Sequence, residues 1–263
     1  MDLGIAGKVA LVCGGSAGLG RGCAAALAAE GVVVAIAARD EARLREATGS
    51  LRAAGAARAA GFQTDLDDAA AREQLVTAVR AELGDIDILV TNNGGPPAGG
   101  IDQVAYADFN LALNRNLLSA IHLCGLVLPS MRARKWGRVV HVASISVKQP
   151  IAGLLLSNTA RVGLAGYTKS VSAEIAADGV LMHVVCPGSH DTVRIRQLAA
   201  TRAAAQGLSE EAALAAMVRE IPVGRLGQPR ELGALVAFLS SELAAFMTGT
   251  VIQVDGGACR GLL

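Results

Sequence analysis

The stretch Lys8–Asp40, KVALVCGGSAGLGRGCAAALAAEGVVVAIAARD, decides how the rest of the chain is placed. KVALVC is a Val-rich apolar run of strand length, GGSAGLG a glycine-rich turn, and RGCAAALAAEG an Ala-rich helix that stops on Gly31. VVVAIAA is a second β-branched run. Gly14, Gly18 and Gly20 stand between a strand and a helix, so the chain can bend sharply there and a ligand can approach its backbone. The helix N-terminus aims unpaired N–H groups and partial positive charge at that ligand, which suits a pyrophosphate. A glycine turn that directly follows a strand and opens a helix is the context expected of a dinucleotide site.

Working outward, the 263 residues are 52% apolar, enough for one sizeable core, and several strand-like runs are apolar throughout. Such runs predict a parallel sheet covered on both faces. Net charge is +1 with no basic stretch, which argues against nucleic acid. Cys13, Cys23, Cys124, Cys186 and Cys259 form no CxxC pair, and read as free thiols of a reducing cytoplasm. No metal-ligand spacing stands out. The chain opens with no basic-then-apolar leader, and no uncharged apolar run reaches membrane-spanning length. A soluble cytoplasmic protein is expected.

The glycine spacing, Gly-x-x-x-Gly-x-Gly, resembles that of the short-chain dehydrogenase/reductase family, and the likeness runs from Lys8 almost to the C-terminus. It implies a single α/β domain over 1–263, a Rossmann fold with a doubly wound seven-stranded parallel sheet and helices on both faces. It also implies a nicotinamide dinucleotide held by Gly14, Ser16, Gly18, Leu19 and Gly20, and a carbonyl or alcohol as the small-molecule substrate. In that family an acidic residue ending the second strand selects NAD, whereas a basic residue just after it favours NADP. Here Ala38 takes the acidic position and Arg39 the basic one, so NADP(H) is expected over NAD(H). Asp40 reads better as the cap of the helix EARLREA. Asp65 and Leu66 match an adenine-side pair, with Asp65 as a helix cap the alternative.

IDILVTNNGG ends in Asn92, Asn93, Gly94 and Gly95, where the family usually has Asn-Asn-Ala-Gly under the cofactor. Asn116 matches a helix asparagine that holds a water of a proton relay. GRVVHVAS delivers Ser144 at a strand's carboxyl end, where open parallel sheets bind ligands. The family's catalytic tyrosine comes thirteen residues after this serine and its lysine four beyond that, one helix face apart. Those positions hold Ser157 and Arg161. Arginine stays protonated through the usable pH range and can donate to ribose hydroxyls, but it relays no proton. A serine hydroxyl is a poor general acid. Pro187, Gly188, His190 and Thr192 match the segment beside the nicotinamide, and His190 is a candidate substitute proton donor.

Residues 189–222 hold a helical, Arg- and Ala-rich insertion, the family's variable substrate lid. The resemblance further implies a homotetramer. The reading is an atypical NADP(H)-dependent oxidoreductase, 3-oxoacyl-acyl-carrier-protein-reductase-like, with Asn116, Ser144, Ser157 and Arg161 at its catalytic site. The alternatives are a nucleotide-binding sensor or partner protein without turnover, and a non-redox enzyme on the same fold.

Overall fold

The computed structural model describes residues 1–261. Seven strands form one sheet: β1 (Val9–Cys13), β2 (Val33–Ala38), β3 (Arg58–Gln63), β4 (Ile88–Thr91), β5 (Gly137–Val142), β6 (Val180–Pro187) and β7 (Thr250–Val254). Their order is β3-β2-β1-β4-β5-β6-β7, and every neighbouring pair is parallel. The expected doubly wound Rossmann architecture is therefore the one observed. The order of strands across the sheet reverses between β1 and β4, where folds of this type open a ligand crevice at the strands' carboxyl ends.

Period-two alternation splits the apolar strand residues into two cores. Ala10, Val12, Val34, Ile36, Ile88, Val90, Val140 and Val142 face one way. They meet α1 (Gly18–Ala29), α2 (Glu41–Ala53) and α9 (Pro229–Leu239). Leu11, Cys13, Ala35, Ala37, Leu89 and Val139 face the other way. They meet α3 (Ala69–Leu83), α5 (Ser119–Ala133) and the end of α6 (Leu155–Ile175). Burial on both faces is why the strands read as continuous apolar runs.

Helix α4 (Tyr106–Leu113) runs into α5 through a π turn over Asn114–Leu118. The continuous 28-residue helix Tyr106–Ala133 is apolar and long enough to cross a membrane by composition. Its Leu123, Cys124, Val127 and Met131 are packed into the sheet instead, which makes it a core helix of this domain. Helices α7 (Val193–Gln206) and α8 (Glu210–Arg219) stand apart with a small core of their own, built from Ile195, Ala199, Ala203, Ala213 and Met217.

Two histidines interrupt the apolar interior. His141 on β5 is fully buried, its Nδ1 2.7 Å from Thr91 Oγ1, and its ring lies 6.3 Å from that of Tyr167. His183 on β6 sits 2.7 Å from Thr250 Oγ1. Burial pushes His141 down to about 3 and, with help from the nearby Arg138 charge, His183 down to about 4. Unfolded, both imidazoles take up protons near pH 6.5; folded, they resist until pH 3–4. The unfolded state thus binds more protons in that window, so stability is lost as pH falls through it. Acid titration followed by circular dichroism should show unfolding beginning below about pH 6. His141→Gln should flatten that pH dependence while lowering stability at neutral pH, and an unchanged slope would show that His141 does not set it.

Candidate active site

The crevice begins at the glycine turn. Gly14 has φ +60°, and a Cβ there would fall 2.6 Å from Asn92 Nδ2. At Gly20 a Cβ would fall 2.2 Å from the Gly14 carbonyl oxygen, so the turn closes on the helix only without side chains. Asn92 seats this turn from β4, donating to the Cys13 carbonyl at 3.4 Å. Ser16 is buried and Leu19 packs against the core beneath α1. Asp40, Asp68, Thr192 and Ser209 cap α2, α3, α7 and α8 with their side chains, but at α1 the N-cap is Ala17 and no side chain caps it. The first N–H groups of α1 are left for an anion.

Beside the turn lies an open groove of about 190 Å³, bordered by Gly14, Ser16, Arg39, Asp65, Leu66 and Gly94 among others. Arg39 is exposed, and among the described residues it makes no ion pair. Asp40 accepts from the Arg43 N–H at 3.1 Å and caps α2 as expected. The alternative reading of Asp65 fails, because Asp68 caps α3 while Asp65 accepts from the Asp67 N–H at 3.0 Å. Asp67 anchors the groove's inner wall: Arg115 Nε donates to it at 2.9 Å and Asn93 Nδ2 at 3.1 Å. Against the upward push of burial, these partners hold its carboxyl below the usual range.

The deeper end gathers Asn116, Ser144, Ser157 and Arg161. Asn114, Arg115 and Asn116 all turn inward from the π turn, a widened helical turn frequent at functional sites. Asn116 Nδ2 donates to the Gly94 carbonyl at 3.1 Å, leaving Oδ1 buried without a partner. That residue borders a cavity of about 20 Å³ shared with Asn92, Ser119 and Arg161. One water fits such a space. Ser144 caps a short 3₁₀ turn, its Oγ accepting from the Ser146 N–H at 3.1 Å, so its own proton is free to donate. On α6, Arg161 Nε donates to Ser157 Oγ at 3.1 Å.

Arg161 departs from expectation in two ways. Its Nη1 donates to the carbonyls of Val142 at 3.2 Å and Ala143 at 2.6 Å, so the guanidinium clamps the end of β5 and only Nη2 is left for a ribose hydroxyl. Its charge is also less permanent than sequence reasoning assumes. Burial with no carboxylate partner pushes it down to about 10, so it is protonated at neutral pH but not throughout the alkaline range.

Beyond β6, Gly188 approaches β7 closely, where a Cβ would lie 2.8 Å from Asp255 Cα. Thr192 caps α7 and lies against Gly18, its Cγ2 3.4 Å from a Cβ built there. His190 is buried with its ring against Gly227, and its Nδ1 lies 3.1 Å from the Gly188 carbonyl. It makes no hydrogen bond to Ser144 or Ser157 among the described residues, so its geometry gives the substitute-donor idea no support. Neither tyrosine fills the gap: Tyr106 is exposed, and Tyr167 packs beside His141. Sequence reasoning missed Arg194, whose guanidinium reaches from α7 to Gly95 and donates to the Pro96 carbonyl at 3.0 Å. Its sole sequence signal was its place two residues past Thr192.

Residues 14–259 match a family model described as Enoyl-(Acyl carrier protein) reductase. The chain is 32% identical over 251 residues to the 3-oxoacyl-(acyl-carrier-protein) reductase of Escherichia coli, covering 95% of this chain and 97% of that one. Over 253 residues it is 34% identical to a D-beta-hydroxybutyrate dehydrogenase of Cupriavidus necator, with the same coverage. L-sorbose reductase from Gluconobacter frateurii, solved with NADPH and L-sorbose, superposes with a TM-score of 0.94 at 30% identity, covering 100% of both chains. The glycine contacts generate a direct test. Gly20→Ala should destabilise the protein by about 3 kcal/mol or more, the upper range for overpacking, read by thermal or denaturant unfolding.

Proposed function

The chain belongs to the short-chain dehydrogenase/reductase family, and on that premise we propose that it is an NADP(H)-dependent oxidoreductase interconverting a carbonyl and an alcohol at a site without the family's Tyr–Lys pair. The observation that carries this reading is the complete cofactor half: an uncapped α1 N-terminus, a turn that excludes side chains, and a groove ending at the unpaired Arg39. The α1 N–H groups would hold the pyrophosphate, with Thr192 beside Gly18. Asp65 and Leu66 would border the adenine, and Arg39 would bind the 2′-phosphate, which an arginine fork binds well. Asn92 and Gly94 would floor the nicotinamide end, and Pro187 and Gly188 would wall it. The bound nucleotide supplies or accepts the hydride.

The protein's own part is to hold the carbonyl and protonate its oxygen. Ser144 donates a hydrogen bond to that oxygen. Ser157 donates its proton as the alkoxide forms, and the Arg161 charge 3.1 Å from its Oγ favours the negative charge left behind. A water bound to Asn116 Oδ1 would fill the small cavity beside Arg161, and Ser157 would regain its proton from water entering the open crevice. The cation spans a serine and two backbone carbonyls, so it serves both as a strut for β5 and as the electrostatic partner of the hydroxyl.

Helices α7 and α8, with a core separate from the sheet's, are proposed as the substrate lid. A homotetramer is supported by apolar side chains exposed along the outer faces of the π turn and α6, Leu118 and Val162, and by the fully exposed Phe246. We place the enzyme in the cytoplasm, where five free thiols, four of them buried, stay reduced. The inward turn of Arg161 favours a second reading, a nucleotide-binding protein without turnover.

Equilibrium titration separates these. NADPH should bind more tightly than NADH, and Arg39→Ala should remove the difference, at about tenfold to a hundredfold for a charge-assisted contact. In NADPH-oxidation assays over a carbonyl panel, Ser157→Ala should lower kcat on the order of 10²-fold while NADPH affinity stays. Activity should also fall as pH rises through about 10, where Arg161 loses its proton. Nucleotide binding with no turnover above a Ser144→Ala control would establish the second reading.

A further inference from the structure

We infer that Arg194, acting with Arg161, is an anion anchor for the substrate: the carbonyl compound carries an oxyanion group, a carboxylate or a phosphate. The inference rests on the oxidoreductase reading and narrows its substrate class.

Arg194 stands in the first turn of α7, at the entrance to the helical pair proposed as a lid. Its guanidinium lies over Gly95, where a Cβ would fall 3.3 Å from Nη2 and 3.6 Å from Nε, so a bare glycine makes room for it. The Pro96 carbonyl fixes its position through one Nη2 bond. Two residues later, Arg196 is paired with Asp191 at 2.8 Å. Arg194 has no such partner: among the described residues no carboxylate reaches it, and none reaches Arg161, which is 9% exposed. Two guanidiniums therefore face the carboxyl ends of β4 and β5 without a counter-charge. Arg161 is buried, and a buried cation is unfavourable unless an anion joins it, whereas Arg194 is exposed beside it and open to an incoming anion.

Their proximity is felt electrostatically. The Arg194 charge adds to burial in pushing Arg161 down, and partial desolvation lowers Arg194 as well. An oxyanion entering between them would relieve both. Arg194 still has Nε and Nη1 to offer, a fork that suits carboxylate and phosphate oxygens. The placement is also chemically useful. Arg161 touches Ser157 and the carbonyl of Ala143, the residue before Ser144, so an anion held here sets the distance from the substrate's charged end to its reacting carbonyl.

The test uses matched pairs that differ in charge: acetoacetate against methyl acetoacetate, and dihydroxyacetone phosphate against dihydroxyacetone. Binding is measured by calorimetry with and without NADP+, and turnover by NADPH oxidation. One anionic member should bind and react about 10- to 100-fold better than its neutral partner, and which pair shows this assigns carboxylate or phosphate. Arg194→Gln should collapse that preference and Arg194→Lys should restore part of it, with NADPH affinity retained in both. Equal use of charged and neutral partners overturns the anchor, as does a preference that survives Arg194→Gln. A loss of NADPH affinity matching the loss of oxyanion binding also overturns it, since Arg194 would then be a cofactor contact. Oxyanion binding that depends on Arg194 but brings no reduction would sustain the anchor and defeat the oxidoreductase reading. NADPH binding and neutral-substrate turnover without any oxyanion binding would do the reverse.

Discussion

All seven strands point the same way, so every strand delivers its next residue to one edge of the sheet. The glycine turn after β1, Arg39 after β2, Asn92 to Gly95 after β4, Ser144 after β5 and Gly188 after β6 are brought together by this constraint alone. Parallel pairing in turn demands crossover helices, and the crossovers bury both faces. The two cores that result, with α1, α2 and α9 on one side and α3, α5 and α6 on the other, are the rigid base on which the crevice stands.

Within the crevice the two halves obey different physics. The half proposed for the cofactor is built from what is missing: no Cβ at Gly14 or Gly20, no side-chain cap on α1, no acid at the end of β2. The half proposed for the reaction is built around buried charge. Arg161 is held among carbonyls and a serine hydroxyl, and this gives Ser157 a cationic neighbour where a phenol's own acidity is absent. Hydrogen bonds to three acceptors offset part of its desolvation, while the lack of a carboxylate leaves its charge uncompensated.

Legibility in the sequence followed the range of the interaction concerned. Asp40 as the α2 cap, the helix stop at Gly31 and the strand ends at Cys13 and Ala38 depend on neighbours a few residues away, and all were readable. The cap of α3 was ambiguous because DLDD offers three acids in four positions, and loop geometry chose Asp68. His190 looked available as a proton donor, but its ring is buried against Gly227, 37 residues (227 − 190) on in the chain, with Nε2 left unpartnered and no bond to Ser144 or Ser157 among the described residues. The π turn had no sequence signature. It coincides with contacts from Asn114 and Arg115 to Asp67, nearly fifty residues earlier.

By itself the sequence determined the strand runs of a covered parallel sheet and the glycine turn that opens α1, because apolar runs, glycine positions and strand ends are local properties; the seven-stranded doubly wound order was implied by the family resemblance. It also determined that serine and arginine occupy positions 157 and 161. Tertiary structure alone decided where those side chains spend their hydrogen bonds: Arg161 on the β5 carbonyls, Asn116 on Gly94 with one oxygen left over, Arg194 on the loop after β4. The physical reason is that a buried polar group must take whatever partner the packing brings within about 3 Å, and distant segments supply that partner.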